Sequence, residues 1–327
     1  MVKKILLINF GGIGDEILFL PTIISLKKAF PDSQITLALE PRSRGIKDLT
    51  NKMDDLILVD IKRGHKYLEL FKLLLYAWGG RYDIVVSSGG NKLIPVLLFL
   101  TGIKKRYGYD SGKLSRKLLT AAVPLNKNQY AAAMYHDLIT PLTSLKTELP
   151  QIDVERAQVI ENSVLIHPGV STISVEKNMI KTITPEIWAD VVRGLAAAGK
   201  KVRLAGGPDD KECIERIVEL CKDVKFENLY GTTKNLRELA QLISGAEKFV
   251  CSDSAPLHVA VALGVKTYAI FGPTDDKKLI PPTVTALKAN DKCPLKPCLW
   301  ERRQTSCETL DCLKISAEDI VKKIVAG

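Results

Sequence analysis

Short, nearly continuous apolar runs recur along the chain, separated by longer stretches in which apolar residues return every three or four positions. In the first half the runs at 5–9, 35–39, 56–60 and 84–87 predict strands, with a shorter one at 106–109. The helical period predicts helices over 15–30, 66–78, 92–101 and 134–145. The segment 148–161 contains Pro150, fits neither period and reads as a linker. The pattern restarts at Val164-Leu-Ile-His-Pro-Gly169. A helix is expected near 185–198, a strand at 202–205 and helices at 209–221 and 236–243. A strand at 249–251, a helix at 256–263, a strand at 267–271 and a closing helix at 317–325 follow. Strands alternating with helices are the sequence form of βαβ units on a parallel sheet. The expectation is an α/β chain of two Rossmann-like domains, residues 1–150 and 151–327, facing each other across a cleft.

The length of 327 residues and a hydrophobic share of 46% suit two such domains. Aromatic residues are sparse, so Leu, Ile and Val carry the cores. No apolar run approaches the roughly 18 residues of a membrane span. The longest, 93–100, is interrupted by Pro95. The N-terminus is basic, then briefly apolar, then Gly-Gly, which reads as a first strand and not as a signal peptide. A cytoplasmic location is therefore expected. The net charge of +10 is uneven: residues 1–150 hold 22 Lys and Arg against 13 Asp and Glu, whereas 151–327 hold 25 against 24. A basic first half suits an anionic partner or serves as a solubilising surface. No nucleic-acid-binding motif accompanies it.

Cys213, Cys221 and Cys251 read as buried thiols. Cys293, Cys298, Cys307 and Cys312 cluster, but without the close CxxC pairing of most structural zinc sites. Reduced thiols or a disulfide-capable loop are expected there, with a structural metal as the alternative. No His, Cys and carboxylate cluster has the spacing of a catalytic metal site, and no cofactor is called for.

The densest chemistry lies in Asp253-Ser-Ala-Pro-Leu-His258. An apolar strand ends at Ser252 and Asp253, a small-residue turn follows, and a helix begins near Pro256. The helix N-terminus at Ser254 and Ala255 offers free N–H groups and a positive dipole end to a phosphate. Asp253 beside it can accept hydrogen bonds from sugar hydroxyls. Together they read as a nucleotide-sugar pocket. A second loop, Asn9-Phe-Gly-Gly-Ile-Gly-Asp-Glu16, joins the first strand to a helix. It departs from the dinucleotide pattern G-x-G-x-x-G, because Ile17 stands at the third glycine and two carboxylates stand where a pyrophosphate would dock. Glu40 alone imitates the ribose-binding acid of that pattern. Gly11, Gly12 and Gly14 instead let the backbone bend closely around a substrate. Asp15 has two readings: a helix cap, or a general base kept ionised by the helix N-terminus.

Taken in order, these segments resemble the bacterial lipopolysaccharide heptosyltransferases of glycosyltransferase family nine. The marks are GGIGDEILFLPTIISLKKAFP after the first strand, RYDIVVSSGG at 81–90, KKRYGYD at 104–110, LIHPG at 165–169 and LAGGPDD at 204–210. SDSAPLHVAVALG through FGPTD and the Cys-bearing tail complete the series, and the resemblance covers nearly the whole chain. It implies a GT-B architecture and an inverting, metal-independent transfer from an ADP-sugar, ordinarily ADP-heptose. The implied acceptor is an anionic glycolipid, the growing lipopolysaccharide core at the inner face of the cytoplasmic membrane. Asp15 matches the family's catalytic base. Lys181-Thr-Ile-Thr-Pro-Glu-Ile-Trp188 matches a diphosphate-binding K-x-W-P-x-E-x-W pattern at Lys181 and Trp188, with Ile183 and Thr184 in place of Trp-Pro. Lys177 competes for the same role. The donor falls on His167, Gly169, Ser171, Gly206, Gly207, Asp253, Ser254, Ala255 and His258. A nucleotide-sugar epimerase or hydrolase of the same architecture, or a catalytically silent sugar-binding protein, are the other classes the sequence admits.

Overall fold

Strand β1 (Lys4–Ile8) is buried from Ile5 to Ile8. A parallel strand covered by helices on both faces has no solvent side, so its sequence runs apolar without alternation. It leads into α1 (Ile13–Ala29), β2 (Gln34–Leu39) and β3 (Asp55–Leu58). Next come α2 (Lys66–Gly80), β4 (Ile84–Ser87), α3 (Ile94–Leu100) and β5 (Lys105–Tyr109). α4 (Lys113–Leu118), β6 (Ala121–Val123) and α5 (Ala131–Asp137) complete the first of two compact units, Met1–Asp153. The strands are parallel and lie in the order β3-β2-β1-β4-β5-β6. This is the Rossmann order, and it reverses direction between β1 and β4.

This computed structural model describes residues 3–170, 174, 176, 178–290, 293–299 and 307–327. The second unit, Val154–Gly327, opens with β7 (Ile160–His167), α6 (Pro185–Ala197), β8 (Lys201–Leu204), α7 (Lys211–Leu220) and β9 (Glu227–Asn228). α8 (Leu236–Ser244), β10 (Ala246–Ser252), α9 (Ala255–Leu263) and β11 (Lys266–Ile270) follow. α10 (Asp276–Leu279), β12 (Thr285–Leu287) and α11 (Ala317–Ala326) close it. Its parallel sheet runs β12-β11-β10-β7-β8-β9, the same permutation read from the opposite edge. The reversal falls between β7 and β10. Trp188 on α6 is fully buried in the core of this unit, against apolar residues of β7, β8 and α7.

The helix expected over 134–145 is instead α5, which ends at Asp137 and gives way to turns through Leu142. Pro141 accounts for the difference, since a proline disfavours helical backbone at the residue before it. Residues 143–159 hold neither helix nor strand. Asp153 ties that segment to the first unit: its N–H donates to the Leu49 carbonyl at 2.7 Å, and Thr50 Oγ1 donates to its carboxylate at 2.9 Å. Among the described residues no helix is long and apolar enough to cross a membrane.

Candidate active site

In each sheet the chemistry gathers where the strand order reverses, at the carboxyl ends of the strands. That is where open α/β sheets bind ligands. In the first unit the chain leaves β1 at Asn9 and turns through Gly11 and Gly12 into α1. Gly12 is the N-cap, in extended conformation. A Cβ on Gly11 would lie 2.2 Å from the Cβ of Asp15, so the close approach requires glycine. Gly14 sits in the first turn of α1. Asp15 occupies the third helical position, and its Oδ2 accepts the Gly12 N–H at 2.8 Å. Its Oδ1 accepts the Tyr135 hydroxyl at 3.2 Å. Burial and the Asp15 charge push the Tyr135 phenol far above its ordinary range, so it remains a donor. Cations flank the loop. Lys62 Nζ donates to the Phe10 carbonyl at 3.1 Å, and a Cβ on Gly12 would meet the Arg42 guanidinium at 3.6 Å.

Beneath this loop Glu16 is fully buried. The Asn9 amide donates to Glu16 Oε2 at 3.0 Å, and Ser88 Oγ donates to Asn9 Oδ1 at 2.5 Å. The chain of three side chains bridges the ends of β4 and β1 and the start of α1. Burial, reinforced by the neighbouring Asp15 charge, raises Glu16 well above the usual carboxylate range. These contacts also bear on the dinucleotide reading. The Gly12 N–H that a pyrophosphate would need is already taken by Asp15. Ile17, fully buried, fills the third-glycine position. Glu40 is buried at the end of β2, with burial raising its carboxyl.

In the second unit His167 ends β7 and is buried. Asp210 fills the space over Gly169, where a Cβ would come within 1.6 Å of its Oδ1. The Gly207 N–H donates to Asp210 Oδ2 at 2.8 Å, and a Cβ on Gly206 would lie 3.1 Å from the Cβ of Asp210. His167 Nε2 lies 3.6 Å from Asp210 Oδ2. Burial holds the imidazole below its ordinary range and the carboxyl above its own, each partly offset by the charge of the other. Four sequence-selected residues, His167, Gly169, Gly206 and Gly207, thus surround one carboxylate.

The neighbouring strand β10 ends at Ser252, followed by the buried Asp253. Asp253 Oδ2 accepts the Thr274 hydroxyl at 2.8 Å and lies 3.4 Å from Lys181 Nζ. The Lys181 side chain keeps 22% of its surface exposed against 5% for Asp253, so the ammonium is the more accessible partner. Its backbone is fixed by the next residue. Thr182 Oγ1 donates to the Pro168 carbonyl at 2.7 Å and accepts the Trp188 indole N–H at 3.1 Å. Ser252 Oγ also reaches the Pro168 carbonyl, at 2.8 Å. Ser254 is the N-cap of α9, Ala255 its first residue, and His258 is buried one turn further on. Ser171 and Lys177 lie outside the described residues.

Tyr135, Asp210, Thr182, Thr274, Arg42 and Lys62 were not selected from the sequence. Asp210 and Thr274 stand inside the quoted LAGGPDD and FGPTD segments, which was a usable signal. Tyr135 carries none. His136 is a core histidine, its Nε2 2.9 Å from Ser25 Oγ. Cys221 and Cys251 are buried free thiols, whereas Cys213 is only partly buried and Cys307 is exposed. Among the described residues no three or more His, Cys, Asp or Glu side chains group in a way that could hold a metal.

Two doubly wound parallel sheets of this order are the arrangement of the GT-B fold. The model of glycosyltransferase family 9 (heptosyltransferase) matches residues 77–307, and the chain belongs to that family. It is thus a glycosyltransferase. The chain is 27% identical over 284 residues to lipopolysaccharide heptosyltransferase 3 of Escherichia coli, covering 80% of this chain and 81% of that protein. Its fold matches that of a family 9 glycosyltransferase from Veillonella parvula with a TM-score of 0.76 at 23% identity, covering 99% and 97% of the two chains. It also matches an E. coli heptosyltransferase solved with ADP-2-deoxy-2-fluoro heptose, with a TM-score of 0.74 at 16% identity over 98% of each chain.

Proposed function

We propose that the protein transfers a heptose from ADP-heptose to a sugar of a lipopolysaccharide core, inverting the anomeric carbon and using no catalytic metal. The observation that carries the reading is Lys181, held 3.4 Å from the buried Asp253 beside the N-terminus of α9, at the reversal point of the second sheet. An ammonium and a helix N-terminus side by side suit a diphosphate. The names of the relatives support the donor: one E. coli heptosyltransferase was solved with an ADP-heptose analogue.

In this reading the unit Val154–Gly327 binds the donor and the unit Met1–Asp153 the acceptor. The acceptor is an anionic glycolipid met at the inner face of the cytoplasmic membrane, and the basic first half suits it. Asp15 takes the proton of the acceptor hydroxyl. The freed oxygen forms its bond to the anomeric carbon on the face opposite the diphosphate. The bond from that carbon to the phosphate oxygen breaks, and its electron pair leaves with ADP. Lys181 and the N–H groups at the start of α9 stabilise the charge that develops there. Gly12 and Tyr135 orient the two oxygens of Asp15. Asp253 and Thr182 hold Lys181 in place. His167 and Asp210 shape the glycine turns beside the donor.

The test is turnover of ADP-, UDP-, GDP- and CMP-sugars with and without lipopolysaccharide core acceptors. The expected result is acceptor-dependent release of ADP from ADP-heptose and a product of inverted anomeric configuration by NMR. Equal ADP release without acceptor would make the protein a hydrolase, and binding without turnover would make it a silent sugar-binding protein.

A further inference from the structure

Helix α2 is apolar around most of its circumference. Leu70, Leu73, Leu74 and Ala77 pack into the core of the first unit. Leu68, Phe71, Leu75 and Trp78, spaced three and four residues apart, form a second stripe, and all four are about half exposed or more. Tyr67 beside them is 83% exposed. The stripe continues onto α3. The Trp78 indole N–H donates to the Leu100 carbonyl at 3.0 Å, and Phe99 and Leu100 are themselves exposed. The Phe71 and Trp78 rings meet edge to face with centroids 6.3 Å apart, so the patch is continuous. A surface helix needs one apolar stripe to join its core; a second, facing water, marks a binding surface.

The stretch of chain that carries the patch is predominantly basic. The stretch 62–106 holds nine Lys and Arg against the carboxylates Glu69 and Asp83. Glu69 is paired with Lys72 at 2.5 Å, and Asp83 accepts the Lys4 backbone N–H at 2.9 Å. Lys66, Arg81, Lys92, Lys104 and Lys105 are exposed. The Arg106 guanidinium lies 5.4 Å from the centre of the Phe99 ring, where cation and apolar surface adjoin.

We propose that this α2–α3 face docks on an anionic phospholipid surface. The Leu, Phe and Trp side chains enter the boundary between headgroups and acyl chains, and the flanking lysines and arginines meet the phosphates. At 15 residues α2 is shorter than the roughly 20 residues that span a bilayer, so it lies in the interface plane. Tryptophan and tyrosine favour that depth, and long basic side chains reach from it to the headgroups. A second copy of the chain is the poorer occupant, because two copies meeting here would bring their cations together. The proposal deepens the membrane side of the function argued above and is independent of the donor and of Asp15.

The experiment is sedimentation of the full chain with phosphatidylglycerol-containing vesicles and with pure phosphatidylcholine vesicles, both free of lipopolysaccharide. Binding to the anionic vesicles is expected, weakening as salt rises. Trp78 emission should shift to the blue on binding, and the Trp78→Phe variant should lose that shift while the fully buried Trp188 does not report it. The double variant Phe71→Ser, Leu75→Ser should bind vesicles at least about tenfold more weakly at an unchanged melting temperature. Lys104→Glu, Lys105→Glu should do the same without touching either helix. Undiminished binding by both variants, or equal binding to the two vesicle types, would overturn the proposal. So would a dimer in sedimentation velocity that the Phe71 and Leu75 changes dissociate. Vesicle binding by a protein that fails to turn over ADP-heptose would refute the transferase reading and leave this surface standing.

Discussion

The hydroxyl of Tyr135 donates to Asp15 Oδ1 at 3.2 Å, from a position 120 residues further along the chain. With the Gly12 N–H on the other oxygen, the Asp15 carboxylate is a helix cap and an oriented acid at once. Capping engages Oδ2, while Oδ1 keeps a second lone pair beside its bond from Tyr135.

Asp15→Asn should therefore separate the two roles. An asparagine oxygen can still accept the Gly12 N–H, so stability should change by no more than roughly 0.5 kcal/mol. It cannot take a proton, and kcat should fall on the order of 10²–10⁴-fold. Steady-state kinetics with a competent acceptor, run beside a thermal melt, measure both. A kcat within a few-fold of the parent would end the assignment of Asp15 as base.

Under the proposed mechanism the Lys181 ammonium meets the diphosphate both bound and departing, so Lys181→Ala should weaken ADP binding and lower kcat together. Asp253→Asn keeps the shape and can still accept from Thr274, but it removes the charge that holds Lys181. A hydrogen bond to a charged group contributes about 1.5–3 kcal/mol, so each variant should lose roughly ten- to 150-fold in nucleotide affinity. Titration calorimetry with ADP reads this directly. Unchanged affinity in Lys181→Ala would move the diphosphate elsewhere.

Glu16→Gln should stabilise the protein at neutral pH. The folded carboxyl titrates above the unfolded one, chiefly because of burial, so the folded state holds the proton longer. Its contribution is fully present below the unfolded pKa of about 4.3 and is lost as pH rises through the raised folded value. Glutamine cannot ionise, so the variant should match the parent near pH 4 and exceed it at pH 7–8. Each kcal/mol recovered is worth roughly 2–4 °C in Tm for a unit of this size. Melting curves across that range test it, and a parent that stays as stable at pH 8 as at pH 5 would contradict it.

The histidines act in the opposite direction. Burial lowers both His136 and His167. The unfolded chain then binds protons that the folded chain resists, and stability falls as pH drops below about 6.5. His136→Gln can keep a bond to Ser25 without titrating, so it should flatten part of that acid limb. Chemical denaturation at pH 7.5, 6.5 and 5.5 is the measurement, and identical slopes in parent and variant would refute it.

The architecture was legible where physics is local. Ile84–Ser87 reads as a strand because four apolar or small residues run without a break between turn signals, and β4 has those bounds. The strands β6, β9 and β12, of three, two and three residues, are too short to show any period. Asp15 and Asp253 stand out because each follows an apolar strand and abuts glycines or small residues. Their partners do not. Tyr135 reaches Asp15 because α5 packs beside α1, and Asp210 reaches His167 because β7 and β8 are neighbours in the sheet. Such meetings belong to topology, which no local pattern encodes. The pinning of Lys181 shows how far this goes. Trp188 belongs to a recognisable pattern, yet its role there runs through Thr182, a contact set by the fold.

Gly11 brings no chemistry of its own, yet its position excludes a side chain on steric grounds alone. Nineteen of the twenty amino acids carry a Cβ, and here that atom would meet another Cβ at 2.2 Å that the backbone of α1 holds in place. No rotamer change relieves such an overlap. In a saturation scan of this loop, Gly11 should tolerate as few replacements as Asp15, although selection would be acting on emptiness at one position and on charge at the other.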